Sequence, residues 1–209
     1  MSEPSDFSVL LRRHMAVIAS LTPDQIAQLE AHYRLMMHWN RVLNLTSIRK
    51  VDEIVLRHYC ESLFLAQHIP AEAVRVADIG SGPGFPGIPV AIARPDLRIT
   101  LIESHQRKAV FLKEASRALP SVRVLAQRAE ALVEHFDVLI SRAVRPGDVV
   151  SLIPALAPSV ALLIGEEDAA DLGRHVHIRW REPLHLPWGE RRVLLAGHDV
   201  SRGTGSSIA

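Results

Sequence analysis

Apolar residues recur at spacings of three and four through residues 7–68, the period of helices that bury one face. In "TPDQIAQLEAHYRLMMHW", Ile26, Leu29, Tyr33, Met36 and Met37 mark that face. Thr22 is placed as an N-cap, with Pro23 at the first helical position, where a missing N–H costs little. "VDEIVLRHYCESLFLAQHI" repeats the pattern through Ile54, Leu56, Leu63 and Leu65. The segment between them, "NRVLNLTSIRK", reads as a polar-edged connection.

From residue 74 the pattern changes to short β-branched runs alternating with helices. "VRVADI", "RITLIE", "VRVLA", "FDVLISRAV" and "VALLIG" are predicted strands. "PGIPVAIA", "QRKAVFLKEASRAL" and "DVVSLIPALA" are the helices between them, and Pro95 stops the first. "EEDAADLGRHV", "VHIRW" and "RRVLLAG" follow, and "SRGTGSSIA" is predicted to be disordered. Strands alternating with helices predict a largely parallel sheet covered on both faces. Ligands of such sheets bind outside the strands' carboxyl ends. One rim therefore receives the loop after the first strand, Glu103, residues 128–130, Ser141 and Arg142.

That loop, in "ADIGSGPGFPGIP", holds four glycines and three prolines. Gly82, Gly84 and Gly87 satisfy a dinucleotide-type G-x-G-x-x-G, which alone is a weak signal. Two features argue against pyrophosphate. Asp78 precedes the loop, and its charge repels phosphate but attracts a sulfonium or ammonium. Pro83 and Pro86 remove N–H donors that would cradle phosphate oxygens. Glu103 ends the second strand, where an acid accepts hydrogen bonds from ribose hydroxyls. It supports a nucleoside without choosing among nucleosides. In "QRAE", the amide of Ala129 and the carboxylate of Glu130 are placed to meet an adenine.

Composition narrows the class. The 209 residues carry 48% hydrophobic side chains and a formal net charge of +1, so a core is affordable and no strong basic bias exists. No apolar run approaches the ~20 residues of a membrane span. A single cysteine, Cys60, excludes an internal disulfide and fits a reducing cytoplasm. Of 24 Lys and Arg, three are lysine: Lys50, Lys108 and Lys113. His175 and His177 have no acidic or Cys partner at ligand spacing, so no metal is expected.

Six segments occur in a specific order: "WNRVLNLTSI" (39–48), "RHYCESL" (57–63), "DIGSGPGFPGIP" (78–89), "LIESHQRKAVFL" (101–112), "QRAE" (127–130) and "FDVLISRA" (136–143). Together they resemble the RsmG family, formerly called glucose-inhibited division protein B, over about residues 20–197. The resemblance implies a Rossmann-like class I S-adenosylmethionine-dependent methyltransferase fold. It has a mostly parallel seven-stranded sheet, helices on both faces and an N-terminal helical extension. The divisions expected are 1–70 for the extension, 71–198 for the methyltransferase domain and 199–209 for a flexible tail. The activity implied is methyl transfer from S-adenosylmethionine to N7 of a single guanine of 16S rRNA. The implied partner is that RNA, as the 30S subunit or an assembly intermediate; separately, with no long apolar stripe left over on the surface, a cytoplasmic monomer is expected. Three residues depart from the family pattern: Glu61 stands for the Asp of a His-x-x-Asp-Ser motif, Ile164 for a Lys, and Glu103 for an Asp.

By the same resemblance, the cofactor falls to Asp78, Gly80, Gly82, Gly84, Phe85, Glu103, Ala129, Glu130 and Arg142. Arg142 also positions the reactants. Guanine N7 presents a lone pair, so no general base is expected, and catalysis is in-line displacement governed by positioning. Candidate RNA contacts are Asn44, Arg57, His58 and Arg191, with Arg41, Arg49, Lys50, Arg174, Arg179, Arg181 and Arg192 on the same basic surfaces. Two alternatives are an NAD(P)-dependent Rossmann oxidoreductase and a non-catalytic ribosome-binding module with a vestigial nucleoside pocket.

Overall fold

A computed structural model describes residues 5–173, 177–189 and 191–201. Arg174, His175 and most of the expected tail lie outside the described residues. Helices α1 (Asp6–Met15) and α2 (Pro23–Trp39) open the chain. At α2, Thr22 and Gln25 form a reciprocal capping box, two side chains taking two otherwise orphaned N–H groups. Helix α3 (Val51–Ile54) runs through a π-helical turn, Val55–Cys60, into α4 (Glu61–Gln67). The amide of Glu61 donates to the Leu56 carbonyl, five residues back. Such widened turns accommodate one extra residue and concentrate at functional sites. No hydrophobic period announces it.

Strands β1 (Arg75–Ile79), β2 (Arg98–Ile102), β3 (Val122–Leu125), β4 (Val138–Arg142) and β5 (Ser159–Gly165) are mutually parallel where they pair. Between them run α5 (Gly87–Ala93), α6 (Gln106–Ala115) and α7 (Pro146–Leu156). Helix α8 (Glu166–Leu172) leads to β6 (Ile178–Trp180), β7 (Leu184–His185) and β8 (Arg192–Asp199). The order is β3-β2-β1-β4-β5-β8-β6, with the two-residue β7 pairing β8. The eighth strand exceeds the seven expected because β7 is too short to leave an alternating pattern. Asp199, placed in the tail by sequence, is buried and closes β8.

Alternate residues of each central strand enter two cores. Val76, Val138 and Ile140 join the N-terminal helices and α5, while Ala77, Ile79 and Leu139 join α7 and α8. Phe7, Leu11, Ile26 and Leu29 lie in the first core, so the N-terminal helices are continuous with the sheet.

Two topological facts place the site. Strand order reverses between β1 and β4, the crevice where doubly wound sheets bind ligands. Strand β8 is antiparallel to β5, and Arg192 pairs Gly165. Its first residue therefore starts on the rim where the parallel strands end, near Arg142.

Candidate functional site

The glycine loop is closed on itself. Gly80 and Ser81 donate to the Ile102 carbonyl, and Gly84 and Phe85 to the Ser81 carbonyl. Gly82 N–H donates to Glu103 Oε2 at 2.9 Å, and Gly87 N–H to Asp78 Oδ2 at 3.0 Å. With Pro83 and Pro86 lacking an N–H, every backbone donor from residue 80 to 87 is committed within the protein. No pyrophosphate cradle remains. Gly80 lies at φ +69°, and a Cβ there would meet Val144 Cγ2 at 2.4 Å. Only glycine lets the backbone pass this point without strain. At Gly87 a Cβ would meet Asp78 Oδ2 at 2.6 Å.

Beside the loop lies a cleft of about 180 Å³. Gly80, Ile102, Ala129 and Val144 are among its walls, with Ser104 and Glu130 polar. Residues Ala129–Ala131 form a short 3-10 turn at its edge. Glu103 stands behind, 7% exposed, accepting Gly82 N–H and, at 2.7 Å, His105 N–H. Each carboxylate oxygen has further acceptor capacity for a ribose hydroxyl. Apolar Ile79, Ile102, Val144 and Leu152 and polar Ser104, Gln127, Arg128, Glu130 and Asp148 share the lining, a mixture able to meet both a flat ring and its polar edges. A second cleft, of about 320 Å³, opens at the sheet's other end, between the starts of β4 and β5. Arg181, a candidate RNA contact, lines it and so lies at the end of the sheet away from Arg142.

Three residues expected to hold the cofactor are placed differently. Asp78 has no solvent exposure, and its Oδ1 lacks a partner. Burial raises its pKa from 3.8 to about 7, against the lowering effect of the Gly87 amide. It underpins the loop and α5, so it is not the open anionic attractor that sequence suggests. Phe85 is 3% exposed and does not line the cleft. It stacks on His58, with centroids 4.6 Å apart and planes at 18°. Gly84 is likewise turned toward His32 and Ile88.

The floor beside β4 is a charge cluster. Arg142 Nε donates to Glu61 Oε2 at 3.2 Å, and Arg192 reaches the same oxygen at 2.9 Å. Arg57 Nε lies 3.4 Å from Glu61 Oε1. Glu61 is 2% exposed, so its carboxylate is held by guanidiniums rather than water. Arg142 also donates to His58 Nδ1 at 2.8 Å. A guanidinium only donates, which fixes the proton of His58 on Nε2. That N–H donates to Thr46 Oγ1 at 2.9 Å. Burial, helped by Arg142, lowers the His58 pKa to about 3 and keeps it neutral. Asn40 fixes the loop bearing Thr46, accepting from the amides of Leu45 and Thr46 and donating to the Thr46 carbonyl.

The expected RNA residues divide. Asn44 is exposed and Arg57 is 40% exposed, both open to a partner. His58 is 5% exposed with both ring nitrogens occupied, so it holds Arg142 and does not face RNA. Arg191 is exposed but paired with Glu166 and Glu167, which cancel its charge. Sequence assigned no role to Asn40 or His32, marked Glu61 only as a departure from a family motif, and placed Arg192 only on a basic surface. His32 is buried, donating from Nε2 to the Pro83 carbonyl and accepting from Tyr59 on Nδ1. Among the described residues no three His, Cys, Asp or Glu side chains gather as a metal-ligand set. No described helix is long and apolar enough to cross a membrane.

The chain has relatives of known name. The model of a family described as rRNA small subunit methyltransferase G matches residues 25–159. The ribosomal RNA small subunit methyltransferase G of Xanthomonas campestris pv. campestris (strain B100) is 42% identical over 212 residues, covering 94% of this chain and 97% of its own. That of Nitrosospira multiformis is 39% identical over 165 residues, covering 77% and 73%. A solved structure, a putative O-methyltransferase from Klebsiella pneumoniae, superposes with a TM-score of 0.61 at 14% identity, covering 92% and 97%. At that identity the likeness concerns architecture, and it shows the Rossmann-like methyltransferase fold. With the matched family spanning the glycine loop, the cleft and the Arg142 floor, the chain belongs to the rRNA small subunit methyltransferase G family.

Proposed function

We propose that this protein transfers a methyl group from S-adenosylmethionine to N7 of one guanine of 16S rRNA, presented in the small ribosomal subunit or its precursor. One observation bears most on the cofactor. The loop's amides are all spent internally, which disfavours the NAD(P) reading and leaves a cleft suited to a nucleoside with no phosphate. Gly80, Ala129 and Glu130 would meet adenosine, and Glu103 its ribose. When bound, the cofactor supplies an electrophilic methyl on a sulfonium.

The chain's own residues need move no proton, because guanine N7 carries its lone pair already. Their work is to orient the base and exclude water. Arginine's usual bidentate grip on guanine takes O6 and N7 together, which would block the nucleophile. Arg142 already commits Nε to Glu61 and a second guanidinium nitrogen to His58, which leaves it short of free donors for that grip. The test is methylation of small subunits lacking the modification, with the product base identified by mass spectrometry. The expected result is one N7-methylguanine in 16S rRNA, together with a thermal upshift from S-adenosylhomocysteine and none from NADH. Methylation at another atom, or stabilisation by NADH alone, would overturn it.

A further inference from the structure

We infer that Arg57, Arg142 and Arg192, gathered on the single carboxylate of Glu61, form a binding site for one phosphodiester of the RNA substrate. The inference rests on the proposed rRNA activity. Its first support is charge. Three guanidiniums lie within 3.4 Å of one carboxylate, a formal surplus of two positive charges. His58, the other polar group against Arg142, accepts a hydrogen bond as a neutral ring and cancels none of it. A half-buried surplus of this kind is costly unless an anion joins it. Next door, Arg191 is met by two carboxylates, so the surplus belongs to this cluster and not to the whole rim.

The second support is unsatisfied polarity. Arg57 Nε, Arg192 Nε and Glu61 Oε1 are buried without a hydrogen-bond partner. Buried polar groups are normally paired, and Arg57 Nε meets Glu61 Oε1 only at 3.4 Å, so one carboxylate does not satisfy the three guanidiniums that share it. The third is direction. Side-chain exposure rises from 11% at Arg142 through 19% at Arg192 to 40% at Arg57, so the cluster opens outward along that line. Position supplies the fourth. The cleft is lined from the ends of β1 and β2, the turn after β3 and the start of α7, whereas this cluster is built from the π turn, the end of β4 and the start of β8. A phosphate here would sit on the substrate side of the methyl. It would also offset a cationic floor beneath a reaction that passes positive charge to the base.

The carboxylate of the cofactor's methionine half shares this oxyanion chemistry, so the experiment has two arms. Arg57→Gln and the double variant Arg57→Gln/Arg192→Gln are compared with wild type. One arm measures affinity for unmethylated small subunits across a salt series, and the other affinity for S-adenosylhomocysteine. Arg57→Gln guards against misfolding of the double variant, since Arg57 is the most exposed of the three. Loss of one phosphate contact should flatten the log–log salt slope by roughly 0.7–0.9 and weaken subunit binding roughly tenfold at physiological salt. Cofactor-product affinity should change by less than about twofold. An unchanged slope in both variants, with wild type still methylating guanine N7, would overturn the phosphate site alone. A loss of S-adenosylhomocysteine affinity matching the loss of subunit affinity would assign the cluster to the cofactor and overturn the inference. Wild type that methylates no rRNA would overturn the functional reading and the inference together.

Discussion

Two buried carboxylates support the two halves of this site, and they are held in opposite ways. Asp78, under the glycine loop, has one N–H partner and one oxygen with none. Glu61, under the Arg142 floor, is surrounded by three guanidiniums. At Asp78 burial dominates and pushes the pKa up to about 7. The proposed nucleoside half thus rests on backbone and close packing, its carboxylates Asp78 and Glu103 held by amides. The proposed substrate half rests on ion pairs, with a carboxylate as its hub. A perturbation of charge should therefore break the second half and leave the first nearly intact.

The largest expected effect is at the hub. Glu61→Gln leaves three guanidiniums without their counter-ion and should destabilise the fold by about 4 kcal/mol, the usual cost of orphaning a buried ion partner. Glu61→Asp keeps the charge one methylene further back and should lose less. Urea unfolding of both variants, with S-adenosylhomocysteine affinity measured on the folded fraction, tests the division. If Glu61→Gln were as stable as wild type, the carboxylate would not be the hub. If cofactor affinity collapsed in Glu61→Asp, the two halves would not be separable.

The architecture was legible because parallel strands and amphipathic helices leave strong local periods, and each central strand and helix lies where those periods put it. Of the residues expected to hold a cofactor, Gly80, Ala129 and Glu130 line one cleft, whereas Phe85 packs on His58. What was hidden is non-local. Glu61 and Arg192 are 131 residues apart and meet because β8 runs backwards to the rim. The π turn orients Arg57, His58 and Glu61 without changing any apolar spacing. His58 reads as an RNA contact and His32 carries no signal at all, since one sequence cannot show that both rings find buried partners.

The second prediction concerns the half held by backbone amides. A carboxyl whose folded pKa is raised above its unfolded value of 3.8 stabilises the fold when protonated. Wild type should lose that stability as pH rises through the window from about 4 to about 7. Asp78→Asn cannot titrate, and its amide oxygen can still accept from Gly87. The variant should therefore gain on wild type by about 2.5 kcal/mol between pH 5 and pH 8, from the ~1.4 kcal/mol that each pKa unit represents. Thermal unfolding of both proteins across that range measures the difference. Parallel curves would mean that Asp78 carries an ordinary carboxylate and that the contrast with Glu61 is wrong.

The smallest effect probes how the charged half is aimed. Thr46 Oγ1 accepts from His58 Nε2 and, at 3.2 Å, from the Ile48 amide. Thr46→Val keeps the shape and removes the acceptor, leaving a buried imidazole N–H without a partner. That should cost about 1–2 kcal/mol, the range for an orphaned buried donor. The informative consequence is in turnover. With Nε2 unsatisfied, the ring gains nothing from presenting Nδ1 to Arg142, and the guanidinium loses one of its two fixed partners. The methylation rate should fall while S-adenosylhomocysteine affinity holds, and Thr46→Ser, which restores the hydroxyl, should recover the rate. If Thr46→Val lowered stability alone, the chain from Asn40 through Thr46 and His58 would be scaffolding for the N-terminal helices, and Arg142 would be aimed by Glu61 without it.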